Sequence, residues 1–194
     1  LVKPHISEIQ ALFHDGIKKR WPGYALDRYC KILPCPIPLF GGSEGTLGII
    51  TRAKLNLVPI PGQRTSIVFM FHTIEEAMNA IVPLMNFQPA SIEHIDDILF
   101  NQTRGQRNFE PVRQLLGLDS AQYKSLLFVE FFDPPQDLIN EVLNLKLGQN
   151  FLYCKDVQQR NMLWEFRKAG LSLLTGIKGS AKPATGVEDT AVRP

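Results

Sequence analysis

The 194-residue sequence has no apolar run near the roughly 18 residues that a bilayer-crossing helix requires, and its longest candidates, such as Ser66 to Phe71, are broken by polar residues nearby. No membrane-spanning helix is expected. Cysteine is scarce. Cys30, Cys35 and Cys154 are three in number, which excludes a disulfide-stapled miniprotein and predicts reduced thiols in a cytoplasmic setting. The Cys30 and Cys35 spacing has no second close Cys or His pair to complete four ligands, and His5, His14, His72 and His94 form no HxH or HxxxH pair, so no metal site is expected in this chain. No block of five or six like charges occurs, and 21 Lys and Arg against 19 Asp and Glu leave a net charge of +2. A dedicated nucleic-acid or anionic-membrane surface is therefore not indicated. An initiator Met and the ordered regions of a signal peptide are both missing at Leu1 to His5, so the chain reads as an internal fragment of something longer. No internal repeat is visible.

What is present is a globular composition, 44% apolar and 21% charged, long enough for one domain or one domain plus part of another. Ile6, Ile9, Leu12, Phe13 and Ile17 fall at helical spacing and predict an amphipathic helix from Ile6 to Lys19. Pro22, Pro34, Pro36 and Pro38 then impose an irregular connection. Four glycines lie within Gly41 to Gly48, directly before a segment from Ile49 to Val58 in which Ala53, Leu55 and Leu57 alternate with polar neighbours. A glycine loop feeding a strand is expected. Pro59-Ile60-Pro61-Gly62 punctuates two differently patterned stretches, which sets the expected domains at 1–62 and 63–194.

After that boundary, Thr65 to Phe71 reads as a strand, and Thr73 with Glu76 three residues later as a capping box opening a helix to Met85. Strands follow at Ala90 to Ile95, Leu126 to Phe132 and Asn150 to Cys154, with helices from Gln136 to about Leu147 and from Val157 to Leu174. A short strand is expected before Val187. This order predicts an α+β fold of the ferredoxin-like type, an antiparallel sheet with its helices on one face, and Phe100 to Tyr123 as a polar, partly helical insertion.

The glycine loop is the stretch richest in chemistry. Glycines let backbone amides approach a ligand, and Ser43 and Thr46 offer hydroxyls to phosphate or carbonyl oxygens. It has neither the Gly-Lys-Ser/Thr of a P-loop nor the following helix of a Rossmann fingerprint. An anion or cofactor cradle and a tight hairpin entry both remain open.

Gly42-Ser43-Glu44-Gly45-Thr46-Leu47-Gly48-Ile49-Ile50-Thr51, followed by Leu57-Val58-Pro59, resembles the FAD-linked oxidases of the vanillyl-alcohol oxidase type. Gly23-Tyr24-Ala25-Leu26-Asp27 upstream, and Leu163-Trp164-Glu165-Phe166-Arg167-Lys168-Ala169-Gly170 and Val187-Glu188-Asp189-Thr190-Ala191-Val192 downstream, occur in the family's order. Together they resemble its D-2-hydroxyacid dehydrogenase branch, acting on D-lactate or D-2-hydroxyglutarate, and most of all the large members fused to an iron-sulfur half. The resemblance implies the end of an FAD-binding domain followed by an incomplete substrate-side cap domain. It implies an oxidoreductase that moves a hydride from a D-2-hydroxy acid to flavin N5 and passes electrons to iron-sulfur centres, a quinone or a flavoprotein.

By position, the resemblance assigns Gly42, Ser43, Glu44, Gly45, Thr46, Gly48, Ile49 and Ile50 to FAD. It assigns Arg167, Glu188 and Asp189 to the substrate side. A guanidinium suits a carboxylate because it grips both oxygens without changing charge. On the residues alone, Arg167 is equally explained by an ion pair with Glu165 or Asp156. Glu188 and Asp189 are equally explained by bonds to the turn at Arg193-Pro194, and Lys182 is a further candidate. The catalytic base is expected outside the chain, as is any iron-sulfur cluster. The family's upstream pyrophosphate loop and downstream histidine segment do not occur between Leu1 and Pro194, and a proline-rich stretch, Lys31 to Phe40, precedes the glycine loop. A fragment inactive alone is expected, from a cytoplasmic parent that can attach peripherally to the inner membrane for its electron transfer. A sugar or alcohol oxidase of the same fold and a non-catalytic binding module are the other readings.

Overall fold

The computed structural model describes residues 2–13, 23–32, 35–154, 156–176 and 179–180. They fall into two compact units, within Leu1–Val58 and within Pro59–Pro183. The first unit holds a 3-10 turn at Lys3–His5 and short helices α1 (Ile6–Leu12), α2 (Leu26–Lys31) and α3 (Ile37–Phe40). The helix expected to reach Lys19 stops at Leu12, because Phe13 is already extended (φ −99°, ψ 111°); the remainder of that stretch lies outside the described residues. Ile49 to Val58 is not a strand: it carries no regular structure and is exposed throughout. Alternation alone does not make a strand; the backbone needs a neighbour to complete its ladder, and none pairs with it among the described residues.

The second unit is built on β1 (Arg64–Phe71). It continues through α4 (Ile74–Met85), β2 (Ser91–Asp96), α5 (Asp97–Asn101), α6 (Glu110–Leu116), β3 (Ser125–Phe132), α7 (Gln136–Asn144), β4 (Asn150–Cys154), α8 (Val157–Lys168) and α9 (Gly170–Thr175). The sheet order is β2-β3-β1-β4, with every neighbouring pair antiparallel. That is the split βαβ of a ferredoxin-like α+β fold, β3 lying between β1 and β2. Thr73 caps α4 as its spacing predicts: Glu76 N donates to Thr73 Oγ1 at 3.1 Å, and Thr73 N donates back to the Glu76 carboxylate at 3.2 Å. Gly148 has φ +70°, and a Cβ there would stand 2.5 Å from the Met70 carbonyl oxygen. Any other side chain would force β4 away from β1.

The helices do not all lie on one face. α4 and α7 do share a face, where Ala77, Ala80, Leu84, Ile139 and Val142 pack on Ile67, Phe69, Phe71, Leu127, Val129 and Phe131. The opposite face is covered too, by Phe100, Val112, Leu116 and Leu118 of the insertion and by Leu163 and Phe166 of α8 over Val68, Met70, Leu126 and Phe128. The reason lies in the central strands. β1 is buried from Thr65 to Phe71 and β3 from Ser125 to Phe131, without alternation, so both of their faces must be kept from water. The helix expected from Val157 to Leu174 is two helices, which meet at Ala169.

The insertion is not simply a polar excursion. Arg113 of α6 is 1% exposed, and its Nη1 donates to Phe100 O at 2.7 Å and to Thr103 Oγ1 at 2.8 Å. Its Nε and Nη2 both donate to the Asp119 carboxylate. One guanidinium thus ties the end of α5, α6 and the following turn. The pairing holds the Asp119 carboxyl below its usual value, chiefly through the hydrogen bond from Arg113. Replacing Arg113 with Ala should strip Phe100 O and Thr103 of their buried partner and cost about 3 kcal/mol of unfolding free energy. Urea-induced unfolding measures this, and a change within about 0.5 kcal/mol, the range of an ordinary surface substitution, would show that the insertion does not depend on Arg113.

Candidate active site

The glycine loop, in the first unit, is held by its own hydroxyls. Ser43 is buried, and its Oγ donates to Phe40 O at 3.1 Å. Thr46 Oγ1 donates to Ser43 O at 2.6 Å and lies 2.8 Å from Tyr24 Oη. Because the Thr46 proton is spent on Ser43, the bond with Tyr24 runs from the phenol to Thr46. A Cβ on Gly42 would stand 2.7 Å from Gly23 O, so the loop closes against Gly23-Tyr24 only with glycine there. The sequence expectation gave Ser43 and Thr46 to an external ligand as donors. Both hydroxyl protons are instead committed inside the loop, because an eight-residue turn this rich in glycine needs side-chain bonds to hold one shape.

What the loop presents outward is backbone, the apolar side chains of Leu47, Ile49 and Ile50, and the Glu44 carboxylate. Glu44 to Ile50 are exposed, with Ile49 91% exposed. Among the described residues, the amides of Gly45, Gly48, Ile49 and Ile50 make no backbone hydrogen bond outside helices and strands, and these residues belong to neither. Free amides beside an apolar surface fit a flavin nucleotide, which carries both anionic phosphates and a flat apolar ring system.

In the second unit the relevant surface lies between α8 and the sheet. Asp156 caps α8 by accepting from Gln158 N at 2.6 Å. From this helix Trp164 and Arg167, one turn apart, both reach down to the strands. Trp164 Nε1 donates to Ser66 Oγ of β1 at 3.4 Å, and the Trp164 ring lies 6.4 Å from that of Phe128. Arg167 Nη2 donates to Glu93 Oε2 of β2, with the two side chains 39% and 35% exposed. Glu93, and neither Glu165 nor Asp156, is thus the acid that Arg167 meets. Strand pairing sets Ser66 and Ser91 on either side of Glu130. Glu130 is 7% exposed, and Ser91 Oγ is buried with no hydrogen-bond partner among the described residues. The result is a polar row in an otherwise apolar sheet face, with Trp164 bonded to its Ser66.

Glu188, Asp189 and Lys182 lie outside the described residues, as does the strand expected before Val187. Glu93, Ser91 and Glu130 were not singled out from the sequence. A signal for Glu93 existed, since its period-two relation to buried Ile95 puts it on the core face of β2. The three cysteines are free thiols, and burial pushes the Cys154 thiol above its ordinary value. No group of three or more His, Cys, Asp or Glu among the described residues is placed to hold a metal. No helix among them is long and apolar enough to cross a membrane.

The family described as FAD linked oxidases, C-terminal domain, matches residues 60–194. The chain belongs to this family. The match covers the whole sheet unit and begins after the glycine loop. Among its relatives, this FAD linked oxidase domain is 30% identical over 167 residues to the D-2-hydroxyglutarate dehydrogenase of Haemophilus influenzae, covering 79% of this chain and 16% of that protein. It is 26% identical over 167 residues to the D-2-hydroxyglutarate dehydrogenase of Escherichia coli, with 79% and 16% covered. It is also 30% identical over 152 residues to a probable mitochondrial D-lactate dehydrogenase of Danio rerio, covering 72% of this chain and 29% of that one. The chain therefore spans less than a third of the length of each of these relatives.

On the opposite face of the sheet, which carries Leu127 and Val129, His94 Nε2 lies 2.7 Å from Ser125 Oγ. Burial lowers the His94 pKa from its ordinary 6.5, against an opposing pull from Asp96. The unfolded chain takes up this proton at higher pH than the folded one, so the stability that neutral His94 contributes is full above 6.5 and is lost as pH falls through the folded value. An NMR titration of the imidazole should give a midpoint below 6.5; a midpoint at or above it would contradict the partial desolvation of this largely exposed side chain.

Proposed function

We propose that this chain is part of an FAD-dependent oxidoreductase that oxidises a D-2-hydroxy acid, with residues 1–62 the end of its FAD-binding domain and 63–194 most of its substrate-side cap. The observation that carries the reading is Arg167. It is a half-exposed guanidinium on a rigid helix, held at a single Nη2 contact with Glu93, with donors left over. A guanidinium has two edges suited to a carboxylate, and a contact through one Nη2 hydrogen leaves one edge complete.

Bound FAD would supply the two-electron acceptor for the hydride of the α-carbon. The rest falls to the chain. Gly42, Ser43, Glu44, Gly45, Thr46, Gly48, Ile49 and Ile50 form the flavin-side loop, in which Ser43 and Thr46 act as internal braces and the exposed backbone of Gly45, Gly48, Ile49 and Ile50 meets the cofactor. Arg167 grips the substrate carboxylate, with Glu188 and Asp189 on the same side. The named activities of the relatives support a D-2-hydroxy acid, D-lactate or D-2-hydroxyglutarate, over a polyol. Electrons leave to an iron-sulfur centre, a quinone or a flavoprotein carried by the rest of the protein or a partner, in a cytoplasmic protein that can meet the inner membrane peripherally.

The test is the visible spectrum of the full-length protein that carries this chain, before and after anaerobic addition of D-lactate, D-2-hydroxyglutarate and their L-enantiomers. Flavin bands that bleach with a D-acid are expected. Bands bleached only by a sugar or alcohol would move the protein to that class of oxidase, and a colourless protein that takes up no FAD would make it a binding module. Arg167→Ala should raise KM and lower kcat/KM together for the acid that bleaches the flavin, and unchanged kinetics would remove Arg167 from the site. Gly42→Ala, which sets a Cβ against Gly23 O, should lower the FAD content of the purified protein; full occupancy would show that the loop does not shape the cofactor site.

A further inference from the structure

We propose that Glu93 is a positioning residue: from β2 it fixes the direction of the Arg167 guanidinium so that one of its edges is held ready for a carboxylate. The proposal rests on the reading of Arg167 as the substrate's carboxylate anchor and deepens it. An exposed arginine at the end of a helix samples many rotamers, and a ligand that uses it must meet the cost of stopping them. Arg167 is not left free in this way, because its Nη2 is engaged by Glu93 Oε2. Glu93 is itself anchored. It lies within β2, paired across the ladder with Phe128, on the face that carries the buried Ile95. The helix is clamped as well, since Trp164, one turn before Arg167, is bonded to Ser66 on β1.

Two contacts from neighbouring turns of α8 to two different strands leave the helix little freedom to rotate, so the position of Glu93 decides where the guanidinium points. The geometry of the contact decides what is left over. Each Nη2 hydrogen belongs to one of the two edges of the guanidinium, and the single contact to Glu93 takes one of them. The other edge stays complete for a two-oxygen grip. No other carboxylate among the described residues pairs with Arg167, so that edge is not contested from within the unit. The Glu93 charge also repels a second anion from the occupied edge, which directs an incoming carboxylate to the free one.

Steady-state kinetics and ligand binding on the full-length protein test this, using Glu93→Ala, Glu93→Asp, Glu93→Gln, Arg167→Ala and the Glu93→Ala/Arg167→Ala double variant. Glu93→Ala should raise KM for the D-hydroxy acid about ten-fold, the equivalent of one arginine side chain that must be immobilised on binding, while kcat changes by less than about two-fold. Glu93→Gln, whose amide oxygen still accepts from Nη2, should stay close to the parent, and Glu93→Asp, one methylene shorter, should fall between. In the Arg167→Ala background, loss of Glu93 should change KM no further, a coupling that a purely structural role would not produce. Oxalate, followed by its perturbation of the flavin band, should bind correspondingly more weakly to Glu93→Ala, a readout independent of turnover.

An unchanged KM and unchanged oxalate affinity in Glu93→Ala would overturn the proposal, as would an equal KM increase with and without Arg167. If Glu93→Ala does not fold, Glu93→Asp carries the same test, and parent-like values for it overturn the proposal. An Arg167→Ala variant with parent-like KM would instead sink the carboxylate reading beneath it, a separate and recognisable outcome.

Discussion

The structure depends on the two-sided burial of its central strands. β1 and β3 hide every residue from Thr65 to Phe71 and from Ser125 to Phe131, which is unusual for an antiparallel sheet, where one face is commonly solvated. Each buried Phe, Ile, Leu or Met contributes on the order of 1.5–3 kcal/mol relative to exposure, so leaving either face wet would unfold the unit. The crossover helices α4 and α7 can cover only one of the faces. The insertion between β2 and β3 and the helix after β4 are recruited to the other, and Arg113 stiffens the insertion from within. Arg167 thereby comes to lie over the sheet: the helix that carries it is first a lid for Val68, Met70 and Phe128.

That origin explains the polar row beside Trp164. The row across the sheet at this level reads Cys154, Ser66, Glu130 and Ser91, small or polar residues in place of the large apolar ones further along. A buried acid and an unsatisfied hydroxyl are costly in a sheet face, and here they gather at the end of the lid helix that also bears the guanidinium. Apolar burial fixes α8 as a body, and the two polar contacts of Trp164 and Arg167 set its rotation. In the other unit the glycine loop divides its labour in the same manner. Hydroxyls and a close Gly42 to Gly23 approach hold its shape, which frees its outer backbone for a partner.

Much of the second unit was legible in the sequence. Four strands, the two crossover helices and the capping box at Thr73 and Glu76 follow from local periodicity and short-range bonds, and the ordered motifs point to the family. The segment from Ile49 to Val58 was misread as a strand, because alternation reports which sides of a chain differ and not whether a neighbour is present to pair with it. The insertion is partly helical as its pattern suggests, but its contribution to the core is hidden in the sequence, because Phe100, Val112, Leu116 and Leu118 are scattered among charged residues and only converge once α5 and α6 turn back on the sheet.

By itself the sequence determined the four strands of the sheet, its two crossover helices and their order, and offered Arg167 as a candidate anion anchor, since these rest on periodicity, residue chemistry and motif wording within a few residues of one another. Tertiary structure alone decided that both sheet faces are covered and that Arg167 answers to Glu93. The physical reason is separation along the chain. Glu93 and Arg167 are 74 residues apart and Trp164 and Ser66 are 98 apart, and contacts of that range are set by strand register and helix packing, which no local pattern encodes.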